Sequence, residues 1–289
     1  MPRVAVVSDS TAYLPRELVE ANQIHLVSLY VNFGTDRTER ESDIQDYVAF
    51  YDELRRAEAL PTTSQPSLGD FMEVYEPLLA DGGEVVSIHL SGGLSGTVDA
   101  ARQAKEALER EGRGGERIRV VDSATACGGM AMVVIAAARR AAAGDDAEAV
   151  EQIAREARKA LKAWFAVDTL EFLRRGGRIG AASAWIGSTL KIKPILTVES
   201  EMTPIERVRT SSRAFERMVD YARQRQESGA DGWIVQHIQA PEQAARLAER
   251  CQEVFGKGPL FTGEIGPVIG AHVGPGLLGV GGIPSRFLT

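Results

Sequence analysis

The stretch EVVSIHLSGGLSGTVDAARQAKEALER, residues 84–110, decides the fold. Glu84 to Leu90 is a short, β-branched apolar run, the signature of a buried strand. From Thr97 onward the apolar residues recur at helical spacing. A strand that passes into a helix through a brief turn is the unit from which parallel sheets are built. The turn itself holds Ser91, Ser95 and three glycines, and it runs straight into Thr97. Hydroxyls and free backbone N–H groups at a helix N-terminus are suited to holding a carboxylate or phosphate.

The same alternation extends on both sides. RVAVVSD (3–9), IHLVSLYVNF (24–33) and IRVVDS (118–123) read as strands, and PTTSQPSLGDF (61–71) contains an exposed polar loop. LPRELVEA, DIQDYVAFYDELRRA, GDFMEVYEPLLA and GGMAMVVIAAARRAAA read as helices, the last apolar on most sides and hence buried. Residues 144–163 form an amphipathic helix that bridges to a second pattern. There WFAVD, KIKPILTVES and MTPIERVRT are strands, the last two a hairpin around SEMT, and helices at 211–228 and 241–254 flank GWIVQHI. The fold expected is α/β, in two α/β units at 1–160 and 161–289. The first has a mainly parallel sheet with helices on both faces, and the second a mixed sheet with helices.

The chain has 289 residues and a net charge of −7, which argues against nucleic acid as the main partner because phosphate binding needs a basic surface. Cys127 and Cys251 match no metal or CxxC spacing and read as small buried residues rather than a disulfide. The four histidines show no HExxH, and no metal site is expected. MPRVAVVSDS lacks the features of a signal peptide, and the longest apolar stretch, 130–138, is far below the roughly twenty residues of a membrane span. A cytoplasmic location is expected.

Three early strands end in similar turns: Asp9-Ser10-Thr11, Ser91 to Thr97, and Asp122-Ser123-Ala124-Thr125. Ser, Thr and Asp are ordinary N-caps, so each turn alone reads as capping; three together, at the carboxyl ends of parallel strands, point to a site. Thr63 and Ser64 add hydroxyls before Pro66, while Ser67 and Asp70 fit a capping box. Arg174, Arg175 and Arg178 surround a glycine pair, and Arg207 and Arg209 share one face of a strand. They suit an anionic ligand or an acidic partner, or equally a solvated charged face. His272, among glycines in GAHVGPG, is the histidine that points to function; His25, His89 and His237 end apolar runs and read as structural. GPGLLG lies too near the end of the chain for a dinucleotide fold, and no P-loop is present. A Ser95–His272 esterase pair is conceivable, but no orienting third member is signalled.

Seven segments in order resemble the DegV family of bacterial fatty-acid-binding proteins: VSDSTAYLP, TTSQPSLGDF, IHLSGGLSGT, VVDSATACGG, FLRRGGRIG, KPIL and GPVIGAHVGPG. Some members resemble fatty acid kinase B subunits, which present the carboxylate of a bound acid to a separate ATP-using kinase for conversion to an acyl phosphate. The resemblance implies an acyl chain in a tunnel near the junction of the two units. It assigns the carboxylate to Thr63 and Ser95 with His272 beside them, and Ser64, Gly96 and Thr97 complete the ligand set. Arg178 and Arg209 match positions linked to kinase function. The implied partners are a long-chain fatty acid and an ATP-dependent kinase subunit, with transient membrane contact compatible; no cofactor and no catalysis of its own are implied. The open alternatives are a lipid carrier or sensor without a kinase, and the Ser95–His272 esterase. One departure is Gly92, where many relatives carry a second serine.

Overall fold

A computed structural model describes residues 4–186 and 192–289. Strands β1 (Val4–Asp9) and β2 (Ile24–Val27) pair in parallel. The chain then leaves that sheet at Ser28-Leu29. β3 (Tyr30–Phe33), β4 (Arg37–Arg40) and β5 (Thr62–Ser64) form a small antiparallel sheet of their own, in the order β4-β3-β5. IHLVSLYVNF is therefore two strands in two sheets rather than one. The polar loop expected at 61–67 begins instead as a strand, because β3 offers β5 an edge to pair with. With β6 (Glu84–His89) and β7 (Ile118–Asp122) the first sheet is complete, all parallel and ordered β2-β1-β6-β7.

Helices cover both faces of that sheet. Val7, Val85 and Ile118 pack under α3 (Leu68–Leu79) and α4 (Thr97–Arg110), where Phe71, Tyr75 and Leu108 are buried. The helix α3 starts with the expected capping box between Ser67 and Asp70. On the other face lie α5 (Cys127–Ala142) and α6 (Ala147–Ala160). Because α6 stops at Ala160 and the next strand starts at Lys162, the bridging helix is shorter than its amphipathic pattern.

The second sheet has six strands, β10-β9-β8-β13-β11-β12, and is mixed. Its members are β8 (Lys162–Ala166), β9 (Lys193–Glu199), β10 (Glu201–Val208), β11 (Gly232–His237), β12 (Thr262–Glu264) and β13 (Leu278–Ile283). β9 and β10 form the expected hairpin around Ser200. α8 (Ser211–Glu227) and α9 (Pro241–Phe255) cover its outer face over Trp233, Val235 and Val280. α5 meets its inner face, contacting β11 and β13 here and β1 and β6 in the first sheet. That position between two sheets is why α5 is apolar all round: Met130 to Ala138 are all buried. The short α1 (Arg16–Ala21) joins β1 to β2; α2 (Tyr47–Arg56) and α10 (Pro267–Val273) pack on each other, and α10 also touches the short α7 (Glu171–Arg175). The fold is thus mixed α/β, with a parallel sheet and a mixed sheet sharing α5. No helix among the described residues is long and apolar enough to cross a membrane.

Candidate functional site

Between the two sheets lies a cavity of about 340 Å³, within the range typical of small-molecule sites. Its apolar part is built from Ala163 and Phe165 of β8, Ile234 of β11, Leu277, and Gly279 and Gly281 of β13. The β13 glycines are set by strand spacing. A Cβ on Gly279 would lie 2.9 Å from that of Phe165, and one on Gly281 would lie 2.8 Å from that of Ala163. Cys127 and the glycines after it, at the start of α5, complete this wall.

The polar part is assembled from four separate segments. Thr63 of β5 approaches His272 of α10, with Oγ1 2.7 Å from Nε2. Ser95 and Gly96 precede α4, and the Ser95 hydroxyl lies 2.9 Å from that of Thr97 while accepting the Thr97 N–H at 3.3 Å. The Gln65 amide packs against Gly96, so any side chain there would have to displace it. Arg178 sits at the rim, donating from Nε to the Leu94 carbonyl at 3.3 Å.

Glycines make the imidazole's berth. Gly177 has a left-handed backbone, φ 70°, which turns the chain after α7, and a Cβ on Gly176 would collide with His272 Nδ1. The pair therefore serves both the turn and the close approach. Burial, and then the charge of Arg178, push His272 down to about 4, while the Gly176 backbone works the other way. The ring is neutral at neutral pH.

A buried carboxylate holds α10 in place. Glu41 is 3 % exposed. It accepts from Ser10 at 2.5 Å, from the Tyr13 hydroxyl at 2.7 Å and from the Val268 N–H at 2.8 Å, in the first turn of the helix that carries His272. Tyr13 in turn accepts the Ile269 N–H at 3.1 Å. Desolvation pushes Glu41 up to about 7, against those hydrogen bonds.

Thr63, Ser64, Ser95, Gly96, Arg178 and His272 all line this cavity. Thr97 does not; it is fully buried at the start of α4 and supports Ser95. Arg209 is also elsewhere. β10 ends at Val208, because Thr210 caps α8 through the Arg213 N–H, so Arg209 lies exposed beyond the strand. Arg207 stacks over Trp185, Arg174 pairs with Glu171, and Arg175 donates to the Glu58 carbonyl.

The three similar turns divide. Ser91 is fully buried and donates to the Ser200 carbonyl, and Asp9 caps its own turn, whereas Ser95 and Thr125 reach the cavity. A Cβ on Gly92 would come within 2.9 Å of Asp122 Oδ2, so this position faces the Asp122 carboxylate rather than the other hydroxyls. Both cysteines are free. Cys251 is buried, its thiol held up at about 12 by burial, but Cys127 contributes to the cavity wall.

Sequence reading points to Thr125 only as part of its turn, and misses Gln65 and Gln236 as wall residues. For Gln236 a signal existed: a lone amide inside the apolar run GWIVQHI has to find partners when buried. No group of side chains among the described residues could hold a metal ion.

Comparison with known proteins identifies the family. The model of the DegV family, whose description is that of an uncharacterised protein, matches residues 3–285. A DegV domain-containing protein of Streptomyces coelicolor is 40% identical over 280 residues, 96% of this chain and 97% of that protein. The structure of DegV from Bacillus subtilis, a fatty acid binding protein, matches with a TM-score of 0.86 at 34% identity, covering 98% of this chain and 100% of that one. A fatty-acid-binding DegV family protein from Thermus thermophilus gives 0.85 at 34% identity, covering 98% and 99%. The likeness runs the length of the chain and includes every segment that builds the cavity: this protein belongs to the DegV family.

Proposed function

We propose that the protein binds a long-chain fatty acid in the cavity and presents its carboxylate to a separate ATP-dependent kinase subunit. The observation that carries this reading is a cavity with an apolar body and a cluster of neutral donors at Thr63, Gln65, Ser95 and His272. Burying a carboxylate without partners is costly, and hydroxyls, an amide and an imidazole supply them. Arg178 at the rim adds a positive charge without enclosing the headgroup. Each methylene buried is worth roughly 0.8 kcal/mol, so the tail carries the affinity and the polar cluster fixes orientation. The fatty-acid-binding DegV proteins of Bacillus subtilis and Thermus thermophilus support the same ligand class.

The protein then needs no catalysis of its own. An esterase would require Ser95 to bond His272 and an acid to orient the ring. Among the described residues Ser95 bonds Thr97, His272 bonds Thr63, and the far side of the ring meets the Gly176 backbone. A neutral imidazole beside a bound carboxylate orients it and gains basicity from it.

The test begins with protein purified from a bacterial host, extracted with organic solvent and examined by mass spectrometry. Near-stoichiometric fatty acid is expected. An empty extract together with failure to take up added fatty acid overturns the reading. Loading should also raise the His272 pKa in an NMR titration. In a reaction with the kinase, His272→Ala should reduce acyl phosphate formation about a hundredfold or more while leaving lipid uptake largely intact.

A further inference from the structure

A second polar feature lies on the cavity wall, on elements that take no part in the headgroup cluster. Helix α5 begins there, and its N-cap residue, Ala126, has no side chain with which to cap it. The Gly128 N–H is held by Oε1 of Gln236 at 2.6 Å. Gln236 is 5 % exposed, lines the cavity, and its Nε2 has no hydrogen-bond partner. Thr125 is 4 % exposed on the same wall.

The two side chains flank one turn of helix. A Cβ on Gly128 would stand 2.7 Å from Gln236 Oε1, and one on Gly129 would stand 2.8 Å from the Thr125 hydroxyl. Gly128 and Gly129 are themselves buried, with Ile234 and Leu161 also packed against them. The result is an amide donor and a hydroxyl set into a wall that is otherwise apolar. A buried donor left unpaired is costly, and native proteins keep few of them, so an unpaired amide beside a ligand cavity points to a group on the ligand.

The groups on offer are donors, so the ligand group is an acceptor. The surrounding charge says which kind. Burial first, and then Glu41 and Asp9, hold the thiol of Cys127 up in the same turn, and all three oppose a further negative charge there. A neutral oxygen suits the site and a second carboxylate does not. An alkene is a weaker match, because N–H to π contacts are second-order interactions.

We propose that Gln236 and Thr125 form a recognition site for a neutral oxygen, a hydroxyl or keto group, carried along the acyl chain, so that the protein selects an oxygenated fatty acid of one positional isomer. This rests on the fatty-acid reading above and narrows its substrate class. The headgroup cluster sets where the carboxylate sits, and the fixed distance from there to the wall site sets which carbon bears the oxygen.

The test uses delipidated full-length protein loaded with a fluorescent fatty acid, displaced in turn by stearic acid, by each positional isomer of hydroxystearic acid, and by octadecanedioic acid. One hydroxy isomer should bind about tenfold tighter than stearic acid, and the diacid should be weaker than both. Gln236→Leu and Thr125→Val should each abolish or sharply reduce the preference for that isomer over stearic acid. Thr125→Val keeps the Gln236–Gly128 bond, so it remains informative if Gln236→Leu does not fold. Stearic acid binding as well as every hydroxy isomer overturns the proposal and leaves the fatty-acid reading standing. A preference that survives both substitutions also overturns it, as does tight binding of the diacid. Failure of every acid to displace the probe, with no uptake of the probe itself, overturns the fatty-acid reading and this proposal with it.

Discussion

Two histidines in this protein make the same contact and do opposite things. In the first sheet, His89 Nε2 lies 2.7 Å from the Ser87 hydroxyl, and its Nδ1 lies 3.1 Å from Asp9. In the cavity, His272 Nε2 lies 2.7 Å from the Thr63 hydroxyl. The first is the more complete hydroxyl–imidazole–carboxylate array, yet Asp9, Ser87 and His89 are all fully buried and none lines the cavity. Tyr75 closes the far end by donating to Ser87 at 2.8 Å. Asp9 also accepts the Thr11 N–H and hydroxyl and the Leu90 N–H, tying the ends of β1 and β6 together where the strand order reverses. The His272 pair has a chamber beside it and no carboxylate behind it. Bond geometry alone therefore does not mark a site; access and the group behind the ring do.

The comparison is broken most directly at Asp9. Asp9→Ala strands several buried donors at once and should cost about 3–5 kcal/mol in chemical denaturation. Lipid uptake per folded molecule should persist. A loss below about 1 kcal/mol would mean that the buried array does not hold the sheet together.

The next effect is in pH. Glu41 is raised from 4.5 to about 7 in the fold, so the folded state holds a proton that the unfolded state loses. Its contribution to stability falls as pH rises from about 4.5 through 7. His272 is lowered from 6.5 to about 4, so its contribution rises with pH between about 4 and 6.5. The two oppose each other across α10. Glu41→Gln should remove the falling part, so that the variant gains roughly 2–3 kcal/mol on wild type between pH 4.5 and 8. Parallel unfolding curves at the two pH values would contradict the assignment.

The smallest effects sharpen the contrast. Ser87→Ala leaves Tyr75 and His89 without their shared partner and should cost about 1–3 kcal/mol with little change in ligand affinity. Thr63→Val should cost under 1 kcal/mol in stability while weakening fatty acid binding several-fold. Similar losses of stability in both variants would erase the distinction between the two histidines.

Which parts were legible in the sequence follows the same physics. The pattern of 128–143, apolar on most sides, announces a buried helix, and α5 lies between two sheets. The hydroxyl-rich turn after Leu90 announced a place where N–H groups and side chains gather, and Ser95 lies there. Where it failed, the deciding contact was distant. The run 24–33 is uniformly strand-like, and only the separate sheet around β3 explains its break at Ser28-Leu29. The capping demand of α8 pulled Arg209 out of its strand, and the Ser200 carbonyl claimed Ser91, from more than a hundred residues away. The sequence marks His89 as structural, and it is fully buried. Its array could not be read in advance, since Asp9 is eighty residues distant.

The glycines of β13 have a consequence for how such a cavity changes over time. Gly279 and Gly281 face Phe165 and Ala163 across neighbouring strands at separations that leave no room for a methyl. Enlarging either residue moves a strand, not just a side chain. That floor acts as a fixed datum. A new fit for a longer, shorter or bent chain has to be cut elsewhere in the wall, where Val198, Met202 and Leu277 can be exchanged one at a time while the grip on the headgroup is left alone.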